Sequence, residues 1–78
     1  MAFEFDYSLD REAVSRLMEC SPHEQRLLLD AFAMLARHPG TTGDYTFVGV
    51  DGRQNHVIDL GGFVATFWTD HAARVVRI

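Results

Sequence analysis

The side chains of this sequence that could do chemistry are histidines, carboxylates and arginines in its second half. His56 lies three residues before Asp59, and Asp70 directly precedes His71. A histidine next to a carboxylate can act as a general base, and an arginine can stabilise charge that develops on a phosphoryl group. The candidate catalytic residues for RNA cleavage are therefore Arg53, Arg74, Arg77, His56 and His71.

Each of these residues also has a simpler interpretation. Neighbouring residues of a strand point to opposite faces, so Asp70 and His71 converge only if the turn after the strand folds them together. His56 and Asp59 can be solvated polar residues, and Arg53 can be a solubilising residue beside a turn. The histidines show no HxxxH or HxH spacing, and the chain has no glycine-rich phosphate loop. We therefore expect no metal site and no cofactor.

The composition argues against a general nucleic-acid-binding protein. The formal net charge is −4, all seven cations are arginines, and they are scattered along the chain. Proteins that hold nucleic acid usually need a basic patch that neutralises phosphates. Direct binding of nucleic acid is therefore not expected.

Length and cysteine content favour one small domain in a reducing compartment. The 78 residues leave room for a single domain, spanning residues 1–78, and 47% of them are hydrophobic. The one cysteine, Cys20, cannot form a disulfide within the chain. The sequence contains no apolar run of transmembrane length, and its start does not resemble a secretory signal. We expect a cytoplasmic protein with no membrane partner.

The sequence predicts a short first strand followed by two helices that form a hairpin. The segment FEFDY alternates apolar and acidic residues, as a half-buried strand does, and LDREAVSRLMEC has helical spacing with Asp10 or Ser8 as its N-cap. Ser21, Pro22 and Glu24 form the pattern of a capping box, which predicts a second helix running to about Ala36. Its predicted buried stripe is Leu28, Ala31, Phe32 and Leu35, widened by Leu27 and Met34.

The rest of the chain predicts four strands. Asp51-Gly52 and Gly61-Gly62 are typical two-residue hairpin turns, and short apolar runs flank both. The expected fold is α+β with the order β-α-α-β-β-β-β, in which a helical hairpin packs on one face of an antiparallel meander sheet.

The run GGFVATFWTD raises the question of what covers the second face of this sheet. Phe63, Ala65 and Phe67 point one way, while Val64, Thr66 and Trp68 point the other. Two helices can cover only one face, so the face with Trp68 is expected to be open and to bind a partner. The predicted partner-binding residues are Trp68, Val64 and Thr66, with Arg53 and Arg74 at the rim. Alternatively, aromatic residues of the first strand or coiling of the sheet cover this face.

The order of elements and several short phrases resemble the RelE/ParE superfamily of bacterial toxin–antitoxin toxins, also called plasmid-stabilisation proteins. The phrases are FEFDYS, then a helical hairpin ending in LARHP, then GGFVATFWTD and finally RVVRI. The likeness spans nearly the whole chain through short motifs. It implies a compact α+β toxin fold that binds an antitoxin segment.

The same resemblance implies two activities. RelE-like members cleave mRNA on the ribosome, and ParE-like members inhibit gyrase. In Gly62-Phe63-Val64, Val64 stands where the family's strand carries an arginine, lysines are absent, and the usual basic or aromatic C-terminal tail is missing. Arg53, Arg74 and Arg77 are then the remaining candidates to stabilise a phosphorane-like charge.

These observations lead to three functional hypotheses. The first is a toxin-fold protein of a plasmid-stabilisation system that acts by binding a protein: an antitoxin, a second copy of itself or a target enzyme. The second is a ribosome-dependent endoribonuclease with a divergent active site. The third is a small homodimeric domain without toxin activity.

Overall fold

The computed structural model describes residues 4–78 and contains two helices and one five-stranded sheet. The α+β class predicted from the sequence is confirmed. Phe3, assigned above to the first strand, lies outside the described residues. The elements in chain order are β1 (Asp6–Ser8), α1 (Arg11–Met18), α2 (Pro22–Arg37), β2 (Tyr45–Val48), β3 (Gln54–Asp59), β4 (Val64–Asp70) and β5 (Val75–Arg77).

Both helices begin where side chains satisfy their free backbone N–H groups. The Asp10 carboxylate accepts a hydrogen bond from the Ala13 N–H at 2.8 Å. At α2 the predicted capping box is confirmed: the Glu24 N–H donates to Ser21 Oγ, and the Ser21 N–H donates to Glu24 Oε1. These bonds lower the pKa of Glu24, with the Ser21 backbone N–H as the largest cause. Within residues 4–78, no helix is long and apolar enough to cross a membrane.

The strand order in the sheet is β1-β5-β4-β3-β2. Strands β2 to β5 pair antiparallel with their neighbours, as a meander does, whereas β1 pairs in parallel with β5. The sheet is therefore mixed, and the expected antiparallel meander describes only its last four strands. The parallel pair is possible because the rest of the chain, including both helices, connects β1 to β5.

The core lies between α2 and one face of the sheet. Leu28 and Phe32 pack with Ala65 of β4, and Leu35 packs with Phe67 of β4 and Val76 of β5. Tyr7 of β1 contacts the Phe32 ring, with 5.8 Å between ring centroids. The apolar residues of β4 that alternate toward α2 therefore hold the helix on the sheet.

The buried stripe of α2 is narrower than the sequence predicts. Leu28, Phe32 and Leu35 are buried, but Leu27 is 56% exposed and Met34 is 55% exposed. Widening the stripe to these two residues was wrong. The reason is geometric, because one sheet covers a limited arc of a helix, and Leu27 and Met34 lie outside this arc.

The packing predicts that substitutions on the two faces of β4 lower the free energy of unfolding by very different amounts. Phe67 is 2% exposed, so Phe67→Ala should lower the free energy of unfolding by about 3–5 kcal/mol through lost burial and a cavity. Val64 is 69% exposed on the opposite face, and Val64→Ala should cost less than about 1 kcal/mol. Urea unfolding followed by circular dichroism measures both. Equal losses would contradict the assignment of the two faces.

Candidate functional site

Strands β3 and β4 separate at one end of the sheet and leave a cavity between them. Their pairing begins at Asp59↔Val64 and stops at His56↔Phe67. Beyond this point β3 continues beside β2, and β4 continues beside β5. A cavity of about 370 Å³ lies at the fork, and the segment 39–42 after α2 lines it together with both strands. We call it the fork cavity.

The fork cavity brings together three of the five predicted catalytic residues. Arg53 and His56 line it from the β3 side, and His71 lines it from the end of β4. Trp68, which was predicted as a partner-binding residue, also lines it. Residues distant in sequence thus share one site because the fork opens between their strands.

His56 is held firmly in place. Its ring stacks on Phe67 with 5.3 Å between centroids, and its Nδ1 accepts a hydrogen bond from the Gly43 N–H at 3.1 Å. An added Cβ at Gly43 would lie 2.5 Å from the backbone oxygen of Val57, so this close approach requires glycine. With Nδ1 as acceptor, the neutral His56 ring carries its proton on Nε2.

Two further contacts shape the cavity. The Thr69 hydroxyl donates to the Pro39 carbonyl oxygen at 3.2 Å and ties the segment after α2 to β4. His71 contacts Phe5 edge-on at 5.7 Å between centroids. The roles of Gly43 and Thr69 were not predicted from the sequence, because both depend on contacts between segments distant along the chain.

The two histidine–carboxylate pairs considered from the sequence do not form. Asp59 lies on the sheet face opposite to His56, and its carboxylate accepts the Gly62 N–H in the turn to β4. Asp70 accepts the Ala73 N–H at 3.0 Å and lies 3.2 Å from Arg77 Nε. Both carboxylates stabilise turns.

Trp68 on the second face is half-buried, and guanidinium groups rather than helices cover it. Arg53 lies over the indole at 4.1 Å from the ring centroid, and Arg77 lies at 5.8 Å. Asp51 and Asp70 pair with these arginines at 3.4 and 3.2 Å. The indole is thus the centre of a cation–π cluster.

The rest of this face carries exposed apolar side chains. Val64 is 69% exposed, Tyr45 is 63% exposed, Phe47 is 45% exposed, and Thr66 is also exposed. Because Ala65 and Phe67 alternate toward α2, these side chains point away from the helices. We call the surface formed by Tyr45, Phe47, Val64, Thr66 and Trp68 the open face.

The two remaining predicted catalytic residues, Arg74 and Arg77, do not line the fork cavity. Arg74 is exposed in the turn before β5, with a φ of 56° in the left-handed region. Its carbonyl oxygen accepts the Asp6 N–H at 3.0 Å and so helps to join β1 to β5. The Arg77 guanidinium lies near the ring of Trp68, which does line the cavity.

The fork cavity can therefore offer imidazole groups for proton transfer, one guanidinium group and an aromatic ring. Among the described residues, no group of three or more histidine, cysteine or acidic side chains is arranged to hold a metal ion. Comparison of the chain with models of known protein families, with curated proteins and with solved structures finds no match.

The hydrogen bond and the ion pair of Asp70 predict the direction in which its pKa is shifted. The Ala73 N–H, followed by Arg77, holds the pKa of Asp70 below its ordinary value of 3.8. Because the folded pKa lies below the unfolded one, the ionised carboxylate stabilises the fold above the unfolded pKa. That stabilisation is lost as the pH falls through the folded pKa.

An NMR titration of the Asp70 carboxyl checks this expectation. Arg77→Gln should raise the pKa only part of the way toward 3.8, because the Ala73 N–H still donates. A complete return to 3.8 in this variant would show that Arg77 alone causes the shift.

Proposed function

We propose that this chain is a toxin-fold protein of a toxin–antitoxin or plasmid-stabilisation system and that it acts by binding a protein through the open face. The expected partner is an antitoxin-like polypeptide segment. A second copy of the chain and a target enzyme such as gyrase are the alternatives that the experiment below separates. The finer assignment, to the RelE/ParE type of fold, is part of this proposal.

The observation that carries the proposal is the uncovered apolar surface of the sheet. Tyr45, Phe47 and Val64 expose aromatic and aliphatic groups on the side without helices, beside the indole of Trp68. Exposed apolar side chains grouped on one face are typical of protein-binding sites, and tryptophan and arginine are enriched among the residues that dominate binding energy. Arg53 and Arg77 flank the indole, so a partner carboxylate could approach them at the edge of the apolar surface.

The electrostatics favour a protein partner over RNA. The net charge of −4 repels a polyanion, and the two arginines beside Trp68 are already paired with Asp51 and Asp70. An apolar surface with a few charged groups suits a polypeptide better. The phrases that resemble the RelE/ParE superfamily support the same conclusion, because toxins of this group bind antitoxin segments.

Truncation of the indole tests this function. The chain is co-expressed with the product of a short reading frame adjacent to its own, and calorimetry measures the affinity of the complex. Trp68→Ala should weaken binding by tenfold or more, since losing a central tryptophan costs about 2 kcal/mol or more. Expression of the chain alone should arrest bacterial growth, and the partner should relieve the arrest.

Met34→Ala is the control, because Met34 is an apolar residue of α2 that is 55% exposed and lies outside the open face. It should leave the affinity unchanged. Sedimentation at several concentrations separates self-association from binding of a second protein. A strict monomer that binds no adjacent gene product, with Trp68→Ala indistinguishable from the wild type, would refute the proposal.

A second candidate function, ribosome-dependent cleavage of mRNA, is favoured by one specific observation. Arg53, His56 and His71 line the same fork cavity. In RNA cleavage a base takes the proton of the 2′-hydroxyl, whose oxygen attacks phosphorus. An acid then protonates the departing 5′-oxygen, and a 2′,3′-cyclic phosphate remains. His71 suits the base and Arg53 suits the charge on phosphorus, while the Nε2–H of neutral His56 can donate a hydrogen bond to a phosphoryl oxygen. Water then supplies the proton to the departing oxygen.

Cleavage of ribosome-bound mRNA, mapped by primer extension, tests this second function. His71→Gln and Arg53→Gln should each reduce the rate by about 100-fold, which is typical for loss of a proton-transfer or charge-stabilising group. Arg74→Gln is the control, since Arg74 lies outside the cavity and should not change the rate. No cleavage by the wild-type chain, or equal losses in all three variants, would exclude the assignment.

A further inference from the structure

A second concave surface lies at the opposite end of β4. It is a groove of about 680 Å³ between α1, the first half of α2 and the beginning of β4. Its floor is apolar and consists of Leu28, Phe32, Phe63, Ala65 and Ile78. These residues are buried or half-buried, so the groove reaches down to the core. We call it the α1 groove.

One wall of the α1 groove is a strand edge that lacks a neighbour. Strand β5 pairs with β4 only from Trp68 to Asp70, so Val64 and Thr66 have β3 on one side and no described strand on the other. The Ile78 backbone does not fill the gap, because its N–H donates to Ser8 and its carbonyl oxygen accepts the Asp10 N–H.

The register shows where the backbone groups of this edge point. The Leu60 N–H donates to the Phe63 carbonyl oxygen, so residues 63, 65 and 67 direct their backbone groups toward β3. Val64 and Thr66 therefore direct two N–H groups and two carbonyl groups away from β3. Both residues line the α1 groove although their side chains lie on the open face. The edge can thus accept an added strand.

The rim of the groove is acidic. Asp10, Glu12, Glu19 and Glu24 line it, with Arg16 as the single cation. The Glu24 carboxylate also accepts the Ser21 N–H, and the hydrogen bonds of the capping box lower its pKa. Four carboxylates around an apolar floor attract cationic groups and repel anionic ones.

We propose that the α1 groove binds an extended basic peptide segment, which adds to the free edge of β4 as an antiparallel strand. The segment makes up to four backbone hydrogen bonds with Val64 and Thr66, continuing the ladder that β5 begins at Trp68. Its inward side chains alternate with its outward ones. An apolar side chain opposite Ala65 packs on Phe32 and Ala65, and a basic side chain two residues later, opposite Phe63, reaches the carboxylates of the rim. The position opposite Phe67 is already taken by Ile78, which follows β5.

This site shares Val64 and Thr66 with the open face but uses their backbone groups instead of their side chains. The open face binds through side chains on the side without helices, whereas the α1 groove binds through the strand edge and the opposite side. The two proposals therefore fail independently. Trp68 does not line the α1 groove, so Trp68→Ala should leave peptide binding there unchanged.

The test uses an acetylated and amidated peptide, Thr-Val-Thr-Lys-Thr, whose valine and lysine share one face when it is extended. Two peptides serve as matched probes: Thr-Val-Thr-Glu-Thr reverses the charge, and Thr-Val-Lys-Thr-Thr keeps the composition but turns the lysine to the other face. NMR titration of the full chain should show binding of the first peptide, at least about tenfold weaker binding of the second, and weaker binding of the third.

Amide hydrogen exchange identifies the strand addition. The amides of Val64 and Thr66 should exchange rapidly in the free chain and at least about tenfold more slowly when the peptide is saturating. The amides of Ala65 and Phe67 already pair with β3 and serve as internal controls. Binding that leaves Val64 and Thr66 unprotected would refute strand addition.

Single-charge variants test the rim. Glu12→Gln and Glu19→Gln should each lower the affinity for the lysine peptide by about twofold to fivefold, which is the size expected for exposed ion pairs. Asp30→Asn removes the same charge from an exposed position of α2 outside the groove and should have almost no effect. Equal binding of the glutamate peptide, or equal effects of all three variants, would overturn the proposal.

A second copy of the chain is the remaining alternative occupant. In that case Val64 and Thr66 would be protected in a concentrated solution without peptide, and dilution would remove the protection. That result would also overturn the proposal of a basic segment.

Discussion

The structure depends on the packing of a single strand, β4, against α2. Ala65 and Phe67 are the residues of β4 that meet Leu28, Phe32 and Leu35, and Phe67 is among the least exposed side chains described. Val76 of β5 and Tyr7 of β1 extend this apolar surface on either side of the contact. Strand β4 also joins the two parts of the sheet, because it pairs with β3 along its first half and with β5 along its second.

This staggered pairing explains the position of both cavities. Where β3 leaves β4, the fork cavity opens among Arg53, His56 and His71. Where β5 does not reach, the α1 groove exposes the backbone edge of Val64 and Thr66. A sheet with full-length ladders on both sides of β4 would close both gaps, since each strand edge would then be paired along its length.

Charge is distributed unevenly over this framework. The chain is acidic overall, and carboxylates dominate the rim of the α1 groove. The fork cavity and the neighbouring indole instead collect guanidinium and imidazole groups, with Arg53 against the face of Trp68. Two surfaces of opposite character thus lie at the two ends of one strand, and they are suited to different partners.

Much of the local structure could be predicted from the sequence alone. The capping box at Ser21 and the two-residue turn at Gly61-Gly62 were predictable because each depends on residues only a few positions apart. The two-residue turn expected at Asp51-Gly52 was wrong, because the Gly49 N–H donates to the Arg53 carbonyl oxygen and leaves three residues in the loop. The apolar alternation of β4 likewise separated Phe67 from Trp68. Packing between distant segments instead determines that Leu27 is exposed, that β1 runs parallel to β5, and that the Gly43 N–H donates to His56. These features depend on which strands pair and where their pairing ends, and contacts between distant residues leave no local pattern in the sequence.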